Sequence, residues 1–260
     1  MKTTHEFVLT LSCRDTTGIV HAVSGLLYQA GCNIIDSQQF GDVQSEDSTG
    51  LFFMRVHFAA PDHLADARTL ESLFSHVREQ FQMTAAIHAL ARKPRVLIMV
   101  SKHGHCLNDL LFRWRSGWLP IDIPAIVSNH PDYAELAASY GIPFHHLPLP
   151  TGSSAEVKRA QEQQVEALVS EEGIDLVVLA RYMQILSAEF CGFLKGRAIN
   201  IHHSFLPSFK GAKPYYQAHD RGVKLIGATA HYVTADLDEG PIIEQDVERV
   251  DHTHTPEDFT

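Results

Sequence analysis

The hydrophobic and polar positions of the first third of the chain follow two periods. An apolar run at residues 7–11 leads into a helical face that ends at Gly31, and the segments 33–40 and 51–58 alternate with period two. A second helical face spans residues 64–81, and residues 83–89 alternate again. A polar hairpin at residues 41–50 separates the two middle strands. This order, β-α-β-β-α-β, predicts a ferredoxin-like domain.

After a polar join at residues 91–94 the pattern changes to runs that are apolar on both faces. These runs alternate with helical stretches, which predicts an α/β fold with a doubly wound, mostly parallel sheet. Domains are predicted at residues 1–91 and 92–260. The segments are the apolar runs 96–100, 123–127, 174–180, 198–201 and 225–233, and the helices 132–140 and 155–171, the latter with a capping box from Ser153 to Glu156.

Composition and charge narrow the classes of function. The 260 residues are 45% hydrophobic and 20% charged, which is enough to bury a core. The 21 basic and 31 acidic residues give a formal net charge of -10 without a basic face, so we expect no nucleic-acid or membrane partner. No apolar run is long enough to span a bilayer.

The cysteines and histidines were considered as ligands. Four cysteines occur singly, which argues against disulfides and thiolate zinc sites and, with no apolar stretch at the start, favours the cytoplasm. The 17 histidines keep a metal-dependent hydrolase open as an alternative. The histidine pairs lie in separate loops without H-E-x-x-H spacing, so we expect no metal site. The pairs are His103 with His105, His145 with His146, His202 with His203, and His252 with His254.

Ligands of such a sheet bind at the carboxyl ends of its strands, so the residues after each apolar run are candidates for chemistry. Residues 101–106, after the first run, contain one glycine and match neither a dinucleotide-binding nor a triphosphate-binding loop. No G-x-S-x-G nucleophile elbow occurs in the chain. NAD, ATP and a serine nucleophile are therefore not indicated.

Asn200 and His202 end a later strand, and period two places both side chains on one face. An amide can donate to an oxygen that an imidazole polarises or protonates. A polar loop farther along contains Asp236, Asp238 and Glu239, and an Asp there could hold the histidine in its charged form and steer a nucleophile. The alternatives are a strand end that satisfies backbone groups and a solvated turn.

The segments 13–20 and 31–34 resemble the start of an ACT domain, a small regulatory module that pairs with another copy. The resemblance implies a homo-oligomer and a regulatory amino acid near Asp15, Gly18 and Asn33. Two alternatives remain: an ordinary helix entry capped by Asp15 or Thr17, and a role in oligomer contacts alone.

From about residue 95 onward, the segments 200–211 and 231–241 resemble the signature of the folate-dependent formyltransferases. The resemblance implies that Asn200, His202 and Asp238 surround the formyl group of 10-formyltetrahydrofolate. It also implies that the folate is the substrate and that no cofactor is needed. The implied folate-binding residues are Arg181, Met183, Gln184, Ile185, Leu186, Thr234 and Asp236.

That family contains transferases onto an amine and a hydrolase, the deformylase. The transferase pattern holds a ribonucleotide phosphate with a Gly-Ser-Asn loop, whereas this chain has Gly104-His105-Cys106 in the matching place. The ACT-like segment in front resembles the hydrolase arrangement. The resemblance therefore implies hydrolysis to formate and tetrahydrofolate, feeding one-carbon and purine metabolism. Formyl transfer to glycinamide ribonucleotide and a non-enzymatic amino-acid sensor are the alternatives.

Two further expectations follow. His202 would donate to the formyl oxygen beside Asn200, while Asp238 would position or deprotonate water and raise the pKa of His202. Residues 255–260 have the composition of a helix start, with a capping threonine, a proline and acidic first-turn residues. We expect a C-terminal helix to continue beyond the sequence.

Overall fold

The computed structural model describes residues 5–42, 48–150, 152–209 and 213–259. The chain divides into two compact units, Met1–Lys93 and Pro94–Thr260. Part of the predicted hairpin at 41–50 and the end of the signature segment 200–211 lie outside the described residues.

The first unit has the predicted β-α-β-β-α-β order. Its antiparallel sheet has the strand order β2-β3-β1-β4. The elements are β1 (His5–Arg14), α1 (Ile19–Gln29), β2 (Asn33–Asp42), β3 (Leu51–Ala60), a 3-10 turn (Asp62–Leu64), α2 (Ala67–Gln80) and β4 (Thr84–Ala89). The ferredoxin-like prediction is confirmed.

One face of this sheet carries the core of the first unit. On β3, Phe52, Met54, Val56 and Phe58 are buried while Phe53 and Arg55 are exposed, as the alternation predicts. The ring of Phe58 stacks on that of Phe7 with centroids 5.8 Å apart. The edge strand β2 differs, because residues 33–40 are exposed on both faces. Its alternating sequence therefore does not correspond to a buried face.

The second unit alternates strands and helices. Its elements are β5 (Arg95–Val100), α3 (His105–Arg115), β6 (Asp122–Ser128), α4 (Ala134–Tyr140), β7 (Phe144–His146), α5 (Ala155–Glu171), β8 (Leu176–Leu179), α6 (Ala188–Phe193), β9 (Ala198–His202), α7 (Pro214–Asp220), β10 (Leu225–Tyr232), β11 (Ile242–Arg249) and α8 (Pro256–Phe259). None of the helices in the described ranges is long and apolar enough to cross a membrane.

The seven strands form one sheet in the order β11-β10-β9-β8-β5-β6-β7. Strands β5 to β9 pair in parallel, and β10 is antiparallel to both β9 and β11. The doubly wound, mostly parallel prediction is confirmed. The chain winds outward in both directions from the central pair β5 and β8, so this is the switch point at which such sheets form a ligand crevice.

The helix ends correct one detail of the sequence analysis. Helix α5 begins at the predicted residue, but its N-cap is Ser154, whose hydroxyl accepts from the Val157 amide at 3.4 Å. The Ser153 hydroxyl instead donates to the Pro150 carbonyl at 2.7 Å, so the predicted capping box from Ser153 is wrong. Helix α8 does have a capping box, between Thr255 and Asp258.

Candidate active site

Three segments next to the neighbouring strands β8, β9 and β10 line one cavity of about 270 Å³ in the second unit. Residues 181–186 follow β8, residues 200–203 end β9, and residues 234–238 follow β10. The cavity brings together all ten residues implied for catalysis and folate binding. They are Asn200, His202, Asp238, Arg181, Met183, Gln184, Ile185, Leu186, Thr234 and Asp236.

Asp238 lies between two histidines. Its Oδ2 is 3.4 Å from Nδ1 of His202, and its Oδ1 is 3.8 Å from Nε2 of His231. Nε2 of His231 in turn lies 3.2 Å from the amide nitrogen of Asn200. The side chains of His202, Asp238 and His231 are only 7%, 8% and 3% exposed, so the group is largely shielded from water.

His231 is a member of this group that the sequence analysis did not select. It lies directly opposite Asn200 in the β9–β10 ladder. Its Nδ1 is 2.9 Å from the carbonyl of Tyr232, which places the hydrogen on Nδ1 and leaves Nε2 to accept from Asn200. The seven-residue spacing to Asp238 was visible in the sequence, but the pairing of β9 with β10 that gives His231 its position was not.

The pKa of His202 is lowered overall, although Asp238 acts to raise it as expected. Burial is the largest cause, since it disfavours the charged imidazolium, and Asp238 offsets this only in part. His202 is therefore neutral at pH 7. With Nδ1 facing Asp238, its Nε2 is buried and has no hydrogen-bond partner within the described part of the chain.

The loop after β10 holds Asp238 in place. Asp238 has a left-handed backbone, φ 56°, which Asp tolerates better than most residues. A Cβ at Gly240 would lie 1.7 Å from the carbonyl oxygen of Tyr232, so the chain can pass this point only as glycine. The Tyr232 amide also donates to the Pro241 carbonyl at 2.9 Å. Asp236 and Glu239 are exposed, so Asp238 is the buried carboxylate of the loop.

The segment after β8 forms the apolar wall of the cavity. Met183 and Ile185 are 56% and 62% exposed and do not pack into the core, whereas Leu186 is partly buried against it. The Met183 amide donates to the buried hydroxyl of Ser101 at 2.9 Å, and that hydroxyl donates to Asn129 at 2.7 Å. The wall is therefore fixed to the loops after β5 and β6, and it presents the exposed side chains of Met183 and Ile185 to the cavity.

The candidate residues of the first unit do not form a comparable site. Gly18, at φ 96°, is itself the N-cap of α1 and no side chain caps the helix, so the predicted cap from Asp15 or Thr17 is wrong. Asp15 and Asn33 are exposed. A second cavity, of about 310 Å³, lies in this unit and is lined by other residues, namely His5, Glu6, Phe7, Ala65, Ala89, Leu90 and Ala91.

Among the described residues, no group of three or more His, Cys, Asp or Glu side chains is placed to hold a metal ion. The four cysteines are free, with Cys13 and Cys191 buried.

Comparisons with known proteins agree with this arrangement. Residues 94–260 match the formyl transferase family and residues 7–74 match the ACT domain. Formyltetrahydrofolate deformylase of Corynebacterium sp. (strain P-1) is 52% identical over 97% of this chain and 85% of that protein. The protein of the same name from Synechocystis sp. is 49% identical over 96% and 85%.

Solved structures give the same result. A formyltetrahydrofolate deformylase from Burkholderia mallei superposes with a TM-score of 0.88 at 55% identity, covering 98% of this chain and 87% of that one. Glycinamide ribonucleotide transformylase 1 from Symbiobacterium toebii gives a TM-score of 0.60 at 32% identity, covering 66% and 80%. The transferase thus lacks a counterpart to a third of the chain, whereas the deformylases match nearly all of it. This chain belongs to the formyltetrahydrofolate deformylase family.

Proposed function

We propose that this protein hydrolyses 10-formyltetrahydrofolate to formate and tetrahydrofolate at the cavity of the second unit. The observation that carries the proposal is the buried group of Asn200, His202, His231 and Asp238 beside an exposed apolar wall. The wall suits a flat ring, and the polar group suits a formyl carbon under attack by water.

In the proposed mechanism Asn200 stabilises the oxyanion. One hydrogen of its amide is directed at His231, which leaves the second hydrogen to donate to the formyl oxygen as negative charge develops there. His231 acts by holding the amide in that orientation.

His202 and Asp238 handle the protons in this scheme. The neutral His202 accepts a proton from the attacking water on its free Nε2, and the carboxylate of Asp238 beside Nδ1 stabilises the imidazolium that forms. The same proton then passes to the departing nitrogen as the bond from carbon to nitrogen breaks. The bond cleavage gives tetrahydrofolate and formic acid, which loses its remaining proton to solvent and leaves as formate, and the histidine returns to its neutral form. This role replaces the expected proton donation by a charged His202.

The loop after β5 argues against formyl transfer to a ribonucleotide. Gly104 packs so closely on Tyr133 that an added Cβ would lie 2.3 Å from the ring, and the Tyr133 hydroxyl donates to the Lys102 carbonyl at 2.9 Å. This loop is therefore packed against Tyr133, which precedes α4. It supports water, rather than a phosphorylated amine, as the acceptor.

For the first unit we propose self-association through β2 and binding of a regulatory amino acid near Asp15, Gly18 and Asn33. Support for the first part is the exposure of Ile35 and Phe40 on this edge strand, at 50% and 63%. We further propose a cytoplasmic enzyme whose formate feeds one-carbon and purine metabolism, in keeping with its free cysteines.

The test of the main proposal is incubation with 10-formyltetrahydrofolate, with and without glycinamide ribonucleotide, while formate and formylated amine are followed separately. Formate should form with water alone, at a rate that the ribonucleotide does not change. Formylated ribonucleotide produced at a rate comparable with formate release would overturn the proposal in favour of the transferase.

A further inference from the structure

Arg181 has a strained backbone at the edge of the cavity. Arg181 lies two residues after the end of strand β8, and its backbone is left-handed, with φ 64°. This conformation costs free energy for residues other than glycine. The Ser101 amide donates to its carbonyl at 3.3 Å, and two residues on, Met183 is bonded to the Ser101 hydroxyl. The strained conformation is thus fixed by the neighbouring strand end, and the side chain lines the cavity.

The guanidinium of Arg181 faces an imidazole and has no carboxylate partner among the described residues. Its Nη1 contacts Nδ1 of His203, and its Nε is buried without a hydrogen-bond partner among the residues that the structure describes. Asp238 lies next to His202 and His231 instead. No ion pair of the described residues includes Arg181.

The imidazoles near Arg181 do not balance its charge. Burial and the adjacent guanidinium lower the pKa of His203 to about 4, and the same two causes lower the pKa of His105. Both rings are therefore neutral at pH 7. Charges that proteins remove from water are normally paired, so a half-buried cation at a cavity wall indicates an anion that comes with the ligand.

We propose that Arg181 and His203 form a subsite for the carboxylate of formate, the product released at the neighbouring formyl centre. The inference rests on the proposed hydrolysis. A guanidinium binds a carboxylate through two parallel hydrogen bonds. Because Nδ1 of His203 accepts from Arg181, the ring hydrogen lies on Nε2 and can donate to the same anion.

The charges along the cavity give this subsite a direction. Asp238 and Arg181 both line the cavity, and Asp238 repels an anion while Arg181 attracts it. The formyl group of the substrate is neutral and gains little from the guanidinium. Formate becomes a strong ligand of Arg181 only once the bond to nitrogen has broken, so the subsite draws the product away from the carboxylate and the attacking water.

The experiment titrates the resting full-length enzyme with [13C]formate and follows the NMR linewidth, at constant ionic strength set with chloride. Arg181→Gly removes the side chain and suits the left-handed backbone, so it should fold. Arg181→Lys keeps the charge but loses the fork. The matched control is Arg113→Ala on α3, where an exposed arginine is bonded to Asp109 at 2.7 Å.

We expect the formate dissociation constant to rise at least about tenfold in Arg181→Gly, less in Arg181→Lys, and not at all in Arg113→Ala. Equal formate affinity in wild type and Arg181→Gly would overturn the subsite, as would full displacement of formate by equimolar chloride. Failure of the proposed function is a separate result, namely no formate released from 10-formyltetrahydrofolate by the wild type.

Discussion

The two units differ in what they bury. Every buried polar or charged residue of the described chain lies in the second unit, whereas the buried core of the first unit is apolar. Burying polar groups costs free energy unless each finds a partner. The second unit accepts that cost near its cavity and also on helix α5, whereas the unusual feature of the first unit is its exposed strand β2. The buried polar residues are Ser101, Ser128, Asn129, Gln161, Glu162, His202, Ser204, Thr229 and His231.

The buried polar residues of the second unit are not all part of the reaction. Glu162 accepts the Ser187 amide at 2.8 Å and contacts its hydroxyl, so it supports the start of α6. Ser101 and Asn129 hold the wall of the cavity. What distinguishes His202 is that its Nε2 has no partner in the described ranges. A buried polar atom left free, more than burial alone, identifies the chemistry.

A substitution in the apolar core of the first unit should give the largest loss of stability. Phe58→Ala removes a fully buried ring that stacks on Phe7, and we expect the free energy of unfolding to fall by about 3–5 kcal/mol. Phe53→Ala, on the other face of the same strand, is the control and should cost about 1 kcal/mol or less. Urea denaturation measures both, and equal losses would contradict the one-sided core.

In the second unit, Asn200→Ala should leave stability nearly unchanged and lower kcat by about 100- to 1,000-fold, the usual loss for one oxyanion donor. Steady-state kinetics of formate release, with folate affinity measured separately, provide the test. A variant with normal kcat and weakened folate binding would show that Asn200 contacts only the ground-state substrate.

The exposed strand β2 should matter for association and little for folding. Phe40→Ser should weaken self-association by about tenfold or more, since a buried phenylalanine side chain contributes roughly 1.5–3 kcal/mol. Tyr28→Ser, which removes an 82% exposed ring from α1, is the control. Sedimentation over a range of concentrations distinguishes them, and equal effects would refute an interface at β2.

The histidines of the second unit should make its stability depend on pH. The pKa of His203 is about 4 in the folded state and near 6.5 when unfolded, so the unfolded chain binds more protons as pH falls below 6.5. The stability that neutral His203 contributes to the folded state is fully present above pH 6.5 and is lost toward pH 4. The free energy of unfolding falls for this reason by at most about 2 kcal/mol between pH 6.5 and 5. In denaturation experiments, the free energy of unfolding of His203→Gln should depend less on pH than that of the wild type. His252→Gln, which changes an exposed histidine, is the control and should show the wild-type pH dependence.

The fold could be predicted from the sequence because each unit has a clear period. The sequence of β3 alternates because only one face of its sheet is covered. The sequence of β5 is continuously apolar because both faces of its sheet are covered. The exposure of β2 could not be predicted in the same way, since an edge strand with apolar residues has the pattern of a buried one. A three-residue strand such as β7, Phe144–His146, is too short to show any period.

The site was predicted less completely. Asn200 and His202 were found because period two places them together at a strand end, and Asp238 was implied by the family resemblance. His231 reaches the site through its antiparallel pairing with Asn200, a contact between residues far apart in the chain. The direction of the His202 pKa shift depends on burial outweighing the charge of Asp238, and no sequence pattern states that balance.

Turnover of Asp238→Asn, with tetrahydrofolate affinity determined in parallel, tests the central claim that the buried polar group performs the hydrolysis. The amide is nearly isosteric but cannot stabilise the imidazolium of His202, so kcat should fall at least about a hundredfold with affinity unchanged. Asp220→Asn, at an 81% exposed carboxylate on α7, should behave as wild type. Near-normal turnover in Asp238→Asn would contradict the account, because it would show that the reaction does not need a carboxylate to stabilise the imidazolium of His202.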